Sequence, residues 1–200
     1  MKLYYCAQTR AIRPRWILEE LGVPYELAHI DVMKGEHKQP AYMKIHPLGV
    51  VPALDDGGSI FFESAAIVQY LADKYADKGL APALGTKERG EYYQWISCAM
   101  TELEPSLTTI ILNTLILPEA QRDPAAIKKA SERYKVVCPI FDERLKGREY
   151  IVGDRFSAAD IVVGAVLALG TRLGQGLEYP HVQAYLKRVT SRPAAQRAFA

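Results

Sequence analysis

Every segment of this chain that reads as a β-strand lies before residue 63, and beyond Gly79 no stretch alternates apolar and polar residues. That split predicts a small sheet at the amino end and a body of helices after it. Leu3-Tyr4-Tyr5-Cys6 is a short aromatic-rich run suited to a buried strand. Ile12, Trp16, Ile17 and Leu21 then recur at helical spacing, and Gly22 stops them. Tyr25 to Ile30 reads as a second strand, and strand, helix, strand demands a parallel crossover. After an irregular stretch rich in Lys and His, residues 51–54 and 59–62 flank Asp55-Asp56-Gly57-Gly58, a strong hairpin turn. Ser64 is placed to cap a helix whose apolar positions Ile67, Val68, Leu71 and Tyr75 run to Gly79. Residues 1–78 therefore read βαβ followed by ββα.

Residues 79–86, with Leu80-Ala81-Pro82-Ala83-Leu84-Gly85 among them, have linker character, and 87–200 read as one all-helical domain. Thr86 is a cap for a long helix through Trp95, Met100 and Leu103, and Asp123-Pro124 suits another helix start. In Phe156-Ser157-Ala158-Ala159-Asp160-Ile161 a capping box joins Ser157 to Asp160, with Phe156 and Ile161 as a hydrophobic staple. The following run to Leu169 is apolar on nearly every face, which places it at the centre of the helical domain.

Composition excludes several classes. Twenty-five basic against twenty-three acidic residues leave a net charge of +2, too little for general attraction to nucleic acid or anionic lipid. The longest apolar stretch, Ile161 to Leu169, is about half of what a membrane-spanning helix requires. The amino end has Lys2, a short apolar run and then Arg10, Arg13 and Arg15, with no secretory core, so we expect a cytoplasmic protein. Cys6, Cys98 and Cys138 form no CxxC pair, and the four histidines form no paired motif, so neither a disulfide framework nor a metal site is expected.

Three motifs in order, residues 48–54, Glu63-Ser64-Ala65-Ala66-Ile67 and Phe156-Ser157-Ala158-Ala159-Asp160, resemble those of the cytosolic glutathione S-transferases. The resemblance covers essentially the whole chain and is nearest to bacterial members of the theta and beta groups. It implies a thioredoxin-like α/β amino domain for glutathione, an all-α carboxyl domain with the electrophile site and dimer contacts, and a homodimer. Glutathione is then the cosubstrate, a small hydrophobic electrophile the second substrate, and no metal is required.

Such an enzyme must keep a thiol of pKa near 8.5 ionised at neutral pH. Lowering that pKa by about two units takes roughly 2.7 kcal/mol, within reach of hydrogen bonds and a helix N-terminus. The resemblance places the thiolate-stabilising hydroxyl at Thr9; a plain N-cap is the alternative for this residue. Beta-group enzymes place a cysteine one position later, where this chain has Arg10. The three arginines sit against a helix N-terminus, which suggests anion handling, with Arg10 facing the site. Equally they fit a solvated face paired with Glu19 and Glu20.

By resemblance Val51-Pro52 is a cis-proline corner that offers the Val51 backbone to the cysteinyl part of glutathione. Glu63 and Ser64 meet the γ-glutamyl ammonium and carboxylate, and His37 and Lys38 the glycine carboxylate. Met100, Leu103 and Leu107 are the electrophile-site candidates, though apolar residues at helical spacing are also what a core requires. Two other readings share the fold: a glutathione-dependent disulfide or peroxide reductase, in which Cys6 matters, and a non-catalytic binding or regulatory protein.

Overall fold

The computed structural model describes residues 1–200, which form two compact units, residues 1–81 with 191–200, and residues 82–190. The first unit holds a four-stranded sheet of order β2-β1-β3-β4: β1 Lys2–Tyr5, β2 Glu26–His29, β3 Ala53–Asp56 and β4 Ser59–Phe62. β1 and β2 are parallel and joined by helix α1, Ile12–Leu21, while β3 is antiparallel to both β1 and β4. Gly22 ends α1 at φ 65°, its amide 3.1 Å from the Leu18 carbonyl, a left-handed cap that glycine adopts without steric cost. The hairpin turns on Gly57 and Gly58, both at positive φ, and the expected βαβ-ββα order is complete with a short α2, Pro40–Met43, and α3, Ser64–Lys74.

Two expectations need correction in this unit. The cap of α3 is Glu63, and Ser64 is already the first helical residue. The last ten residues also leave the helical domain expected over 87–200, because α9, Pro193–Phe199, packs on α1. Arg192 binds Glu20 with both ends of its fork, at 2.7 and 2.8 Å, Arg197 pairs with Glu19, and the Phe199 ring meets Trp16 edge-on at 5.6 Å. Arg197 and Arg192 are thus the hydrogen-bonded partners of Glu19 and Glu20, while Arg15 acts on Glu19 through its charge. Fork-to-fork pairing fixes both partners in a way that a one-turn helical pair does not.

The second unit contains α4 Lys87–Cys98, α5 Glu104–Ile111, α6 Pro124–Leu145, α7 Ala158–Arg172 and α8 Pro180–Thr190. Thr86 caps α4 through Arg89 N–H at 3.2 Å and Asp123 caps α6 through Ala125 N–H at 2.8 Å. A π-helical turn over Ala99–Leu103 carries α4 into α5, and the widened turn lies just ahead of Pro105, which lacks the N–H and clashes with a regular helix. α7 is buried along most of its length, as its composition predicts.

Asp160, with no exposed surface, accepts from Ile151 N–H at 2.9 Å, Ser157 N–H at 2.8 Å, Tyr185 O–H at 3.0 Å and the Ser157 hydroxyl at 3.1 Å. The capping box is there, and it also ties down the loop before α7 and helix α8. No helix is long and apolar enough to cross a membrane.

Candidate active site

The sheet register gathers three loops at one end of the first unit. Tyr4 lies opposite Ala53, so residues after β1 sit beside those before β3; Ala53 lies opposite Phe62, so residues after β4 join them. Cys6 to Thr9, Val51-Pro52 and Glu63-Ser64 meet there.

Thr9 stands in a tight turn before α1. Gln8 ahead of it has φ 58°, a left-handed conformation uncommon for a side-chain-bearing residue. The Thr9 hydroxyl donates to the Cys6 carbonyl at 2.7 Å and accepts from Ala11 N–H at 3.2 Å. Ala11, at the head of α1, has helical φ and ψ and caps with no side chain, while the Thr9 oxygen takes the Ala11 amide, so the capping alternative for Thr9 stands beside the thiolate role.

The Val51-Pro52 bond is cis, as the resemblance implies. The neighbouring Val50 carbonyl accepts from Tyr42 O–H at 2.8 Å. Glu63 has φ 69° and ψ 106° and turns the chain into α3. A non-glycine residue there stores about 1–3 kcal/mol of strain, held by the surrounding structure. No side chain caps α3, so the first-turn amides that every helix leaves without an internal partner are open to an anion.

Arg13 is only 1% exposed, and its Nη1 donates to the buried Ser64 hydroxyl oxygen at 3.1 Å. Sequence reasoning favours Arg10 for the site and takes Arg13 only as the match to the family's arginine four residues after Thr9, without its burial. The signal was present, since position 13 lies three and four residues before Trp16 and Ile17 and so shares the buried stripe of α1. Arg10 is partly exposed. Arg15 donates to Tyr5 O–H oxygen at 3.0 Å with its guanidinium 5.1 Å from the Tyr5 ring centre, which occupies it in packing.

His37 and Lys38 form a 3-10 turn against Leu48 and Gly49. Lys38 Nζ donates to the Leu48 carbonyl at 3.1 Å, and a Cβ on Gly49 would come within 2.8 Å of the His37 carbonyl. That approach, with φ 55°, requires glycine at 49. The turn therefore abuts the chain two residues before Val51.

The electrophile candidates separate. Leu103 and Leu107 have no exposed surface and belong to the helical core, because they face inward on the turns where α4 meets α5; Met100 alone is partly exposed. Among the cysteines, burial pushes Cys138 up to about 12 and raises Cys98, assisted there by Glu102, so both stay protonated at neutral pH. Cys6 is partly exposed at the end of β1. No cluster of His, Cys, Asp and Glu side chains is arranged to hold a metal ion.

Comparison with known proteins matches this architecture. A family model described as the glutathione S-transferase N-terminal domain covers residues 1–73, and one for the C-terminal domain covers 103–193. Glutathione S-transferase 3 of Zea mays is 30% identical over 195 residues, 94% of this chain and 88% of its own. The chain belongs to the glutathione S-transferase family. Solved structures agree on the fold of this transferase family. Glutathione transferase URE2P8 from Phanerochaete chrysosporium, with oxidised glutathione, superposes at TM-score 0.89 and 28% identity, covering 99% of this chain and 92% of that one. A bacterial beta-class enzyme from Sphingomonas chungbukensis gives 0.87 and 28%, covering 100% and 97%. The family's N-terminal match contains Thr9, Arg13, Val51-Pro52 and Glu63-Ser64; its C-terminal match contains Asp160.

Proposed function

We propose that this glutathione S-transferase binds glutathione along the three loops at the sheet end and transfers its thiolate to small apolar electrophiles. The observation that carries the reading is the uncapped start of α3 with Ser64 in it and Arg13 buried behind. Because the Ser64 oxygen accepts from Arg13, its own O–H is directed to another acceptor. A γ-glutamyl carboxylate there receives that hydroxyl, the first-turn amides and the positive end of the helix. Glu63 takes the ammonium, the Val51 backbone pairs with the cysteinyl amide, and His37 and Lys38 meet the glycine carboxylate.

The cysteinyl sulfur then lies at the Thr9 turn. Its hydroxyl proton, held by the Cys6 carbonyl, swings to the sulfur anion, exchanging a neutral acceptor for a charged one that binds about twice as strongly. The thiolate attacks the electrophile, forming a carbon–sulfur bond as the leaving group departs with its electron pair or as a double bond takes up the charge. We assign the chain to a theta-like arrangement within the family rather than a beta-like one, since Arg10 stands where a beta-like enzyme would carry cysteine. Met100 is the remaining candidate of the three for the electrophile's surroundings. The protein acts as a cytoplasmic homodimer in this reading, and light scattering after gel filtration should give about twice the 22.3 kDa chain mass. A monomer at micromolar concentration would count against it.

Ser64→Ala tests the binding mode. It removes a hydrogen bond to a charged ligand group, so KM for glutathione should rise by about tenfold or more with kcat changed far less. Calorimetric glutathione affinity equal to that of the wild type would remove Ser64 from the site.

A further inference from the structure

His46, between α2 and the Val51-Pro52 corner, is only 2% exposed. Its backbone and ring together hold one turn. The His46 amide donates to the Tyr42 carbonyl at 2.9 Å, its carbonyl accepts from Gly49 N–H at 2.8 Å, and its ring Nδ1 accepts from Leu48 N–H at 3.3 Å. The ring also lies against Phe62, with centroids 5.1 Å apart and a 40° tilt. Residues 46–50 lead directly into Val51, and Phe62 leads directly into Glu63 and Ser64. A single buried ring thus supports both sides of the proposed glutathione clamp.

The chemistry of that ring is bistable. Accepting Leu48 N–H at Nδ1 requires a neutral imidazole with its proton on Nε2. Protonation would put a second hydrogen on Nδ1, facing an N–H that has lost its acceptor, in a place poorly reached by water. We infer that His46 is a positioning residue for glutathione binding, whose neutral ring holds the 46–51 turn against β4 and whose protonation releases it and weakens the clamp. The inference rests on the glutathione reading above.

Burial holds the His46 pKa below the ordinary imidazole value against Glu63 and the residue's own backbone, both of which favour the protonated ring, and Lys38 adds a smaller push downward. Glu63 and Lys38 are the charged groups that face the ring. A γ-glutamyl ammonium on Glu63 would lower the His46 pKa and a glycine carboxylate on Lys38 would raise it, so these charges oppose each other and the turn sets the sign: a ligand that needs residues 46–51 in place binds the neutral ring better and lowers its pKa. Linkage is reciprocal, so protonation must lower ligand affinity by the same factor.

S-methylglutathione is the probe, because it keeps every recognition group and has no thiol to titrate. By calorimetry on the intact protein, wild-type affinity should fall about fivefold or more between pH 7.5 and pH 5, with a midpoint below about 6.5. His46→Asn keeps an oxygen able to accept Leu48 N–H and cannot titrate. It should bind within about twofold of wild type at pH 7.5 and lose less than about twofold at pH 5. Equal wild-type affinity at both pH values, or the same loss in His46→Asn, overturns the inference alone, the latter by assigning the proton elsewhere. No binding at either pH overturns the glutathione reading itself. If His46→Asn does not fold, the wild-type imidazole resonance, followed by NMR, decides: a lower pKa in the S-methylglutathione complex supports the inference, and an unchanged one overturns it.

Discussion

Asp160→Ala should lower the unfolding free energy at neutral pH by about 3 to 5 kcal/mol, a large fraction of what holds a domain together. The carboxylate is the acceptor for Ile151 N–H, Ser157 N–H, the Ser157 hydroxyl and Tyr185 O–H in a site without water access, and alanine leaves the first three without that acceptor and Tyr185 with only the backbone carbonyl of residue 160, at 3.4 Å. The midpoint of thermal unfolding should fall by about 10 °C. Chemical denaturation followed by circular dichroism measures it, and a loss under about 1 kcal/mol would mean that the network contributes little.

The same carboxyl gives a pH signature. Burial pushes Asp160 up to about 6, against the pull of its donors. A carboxyl raised in the folded state binds its proton more tightly there than in the unfolded chain. Its contribution to stability is fully present below the unfolded pKa of about 4 and is lost as pH rises through about 6. Relative to Asp160→Asn, which cannot titrate, wild-type stability should decline by about 3 kcal/mol across that window. A parallel course for the two proteins from pH 4 to 7 would contradict the raised pKa.

The elements that sequence made visible are those set by neighbours in the chain. Gly22, the Gly57-Gly58 turn, Thr86, Asp123 and Ser157-Asp160 each act within a few residues, and each is where the pattern placed it. What sequence left out depends on distant partners. Asp160 reads as a capping box, but Tyr185 and Ile151 as its further partners are a matter of packing. Helix α9 falls in a stretch that the sequence marks only as helical, and its place on α1 is decided by Glu19 and Glu20, which lie more than 170 residues away. Arg13 is visible as the match to the family's arginine, but its burial and its bond to Ser64, 51 residues away, are a matter of packing. Leu103 and Leu107 show the reverse error, since apolar residues at helical spacing serve a core and a pocket equally well.

Thr9→Val has the second large expected effect. Valine matches threonine in shape and removes the donor, so a thiolate held by that hydroxyl loses about 1.5 to 3 kcal/mol, or roughly one to two pKa units. At a pH below the shifted pKa, kcat should fall about tenfold to a hundredfold, while KM for glutathione changes only slightly. Thr9→Ser keeps the hydroxyl and should restore most of the rate. It also restores the bond to the Cys6 carbonyl, so S-methylglutathione affinity, which does not involve the sulfur anion, separates loss of the turn from loss of the donor. Cys6→Ala should leave turnover nearly unchanged.

The ultraviolet absorbance of thiolate in the glutathione complex, titrated against pH, tests the central claim most directly. The account predicts a wild-type pKa about two units below the ordinary thiol value near 8.5, moved alkaline by one to two units in Thr9→Val and left in place in Cys6→Ala. A titration that stays where it was in Thr9→Val, together with loss of turnover in Cys6→Ala, would contradict it and assign the chemistry to the protein's own cysteine.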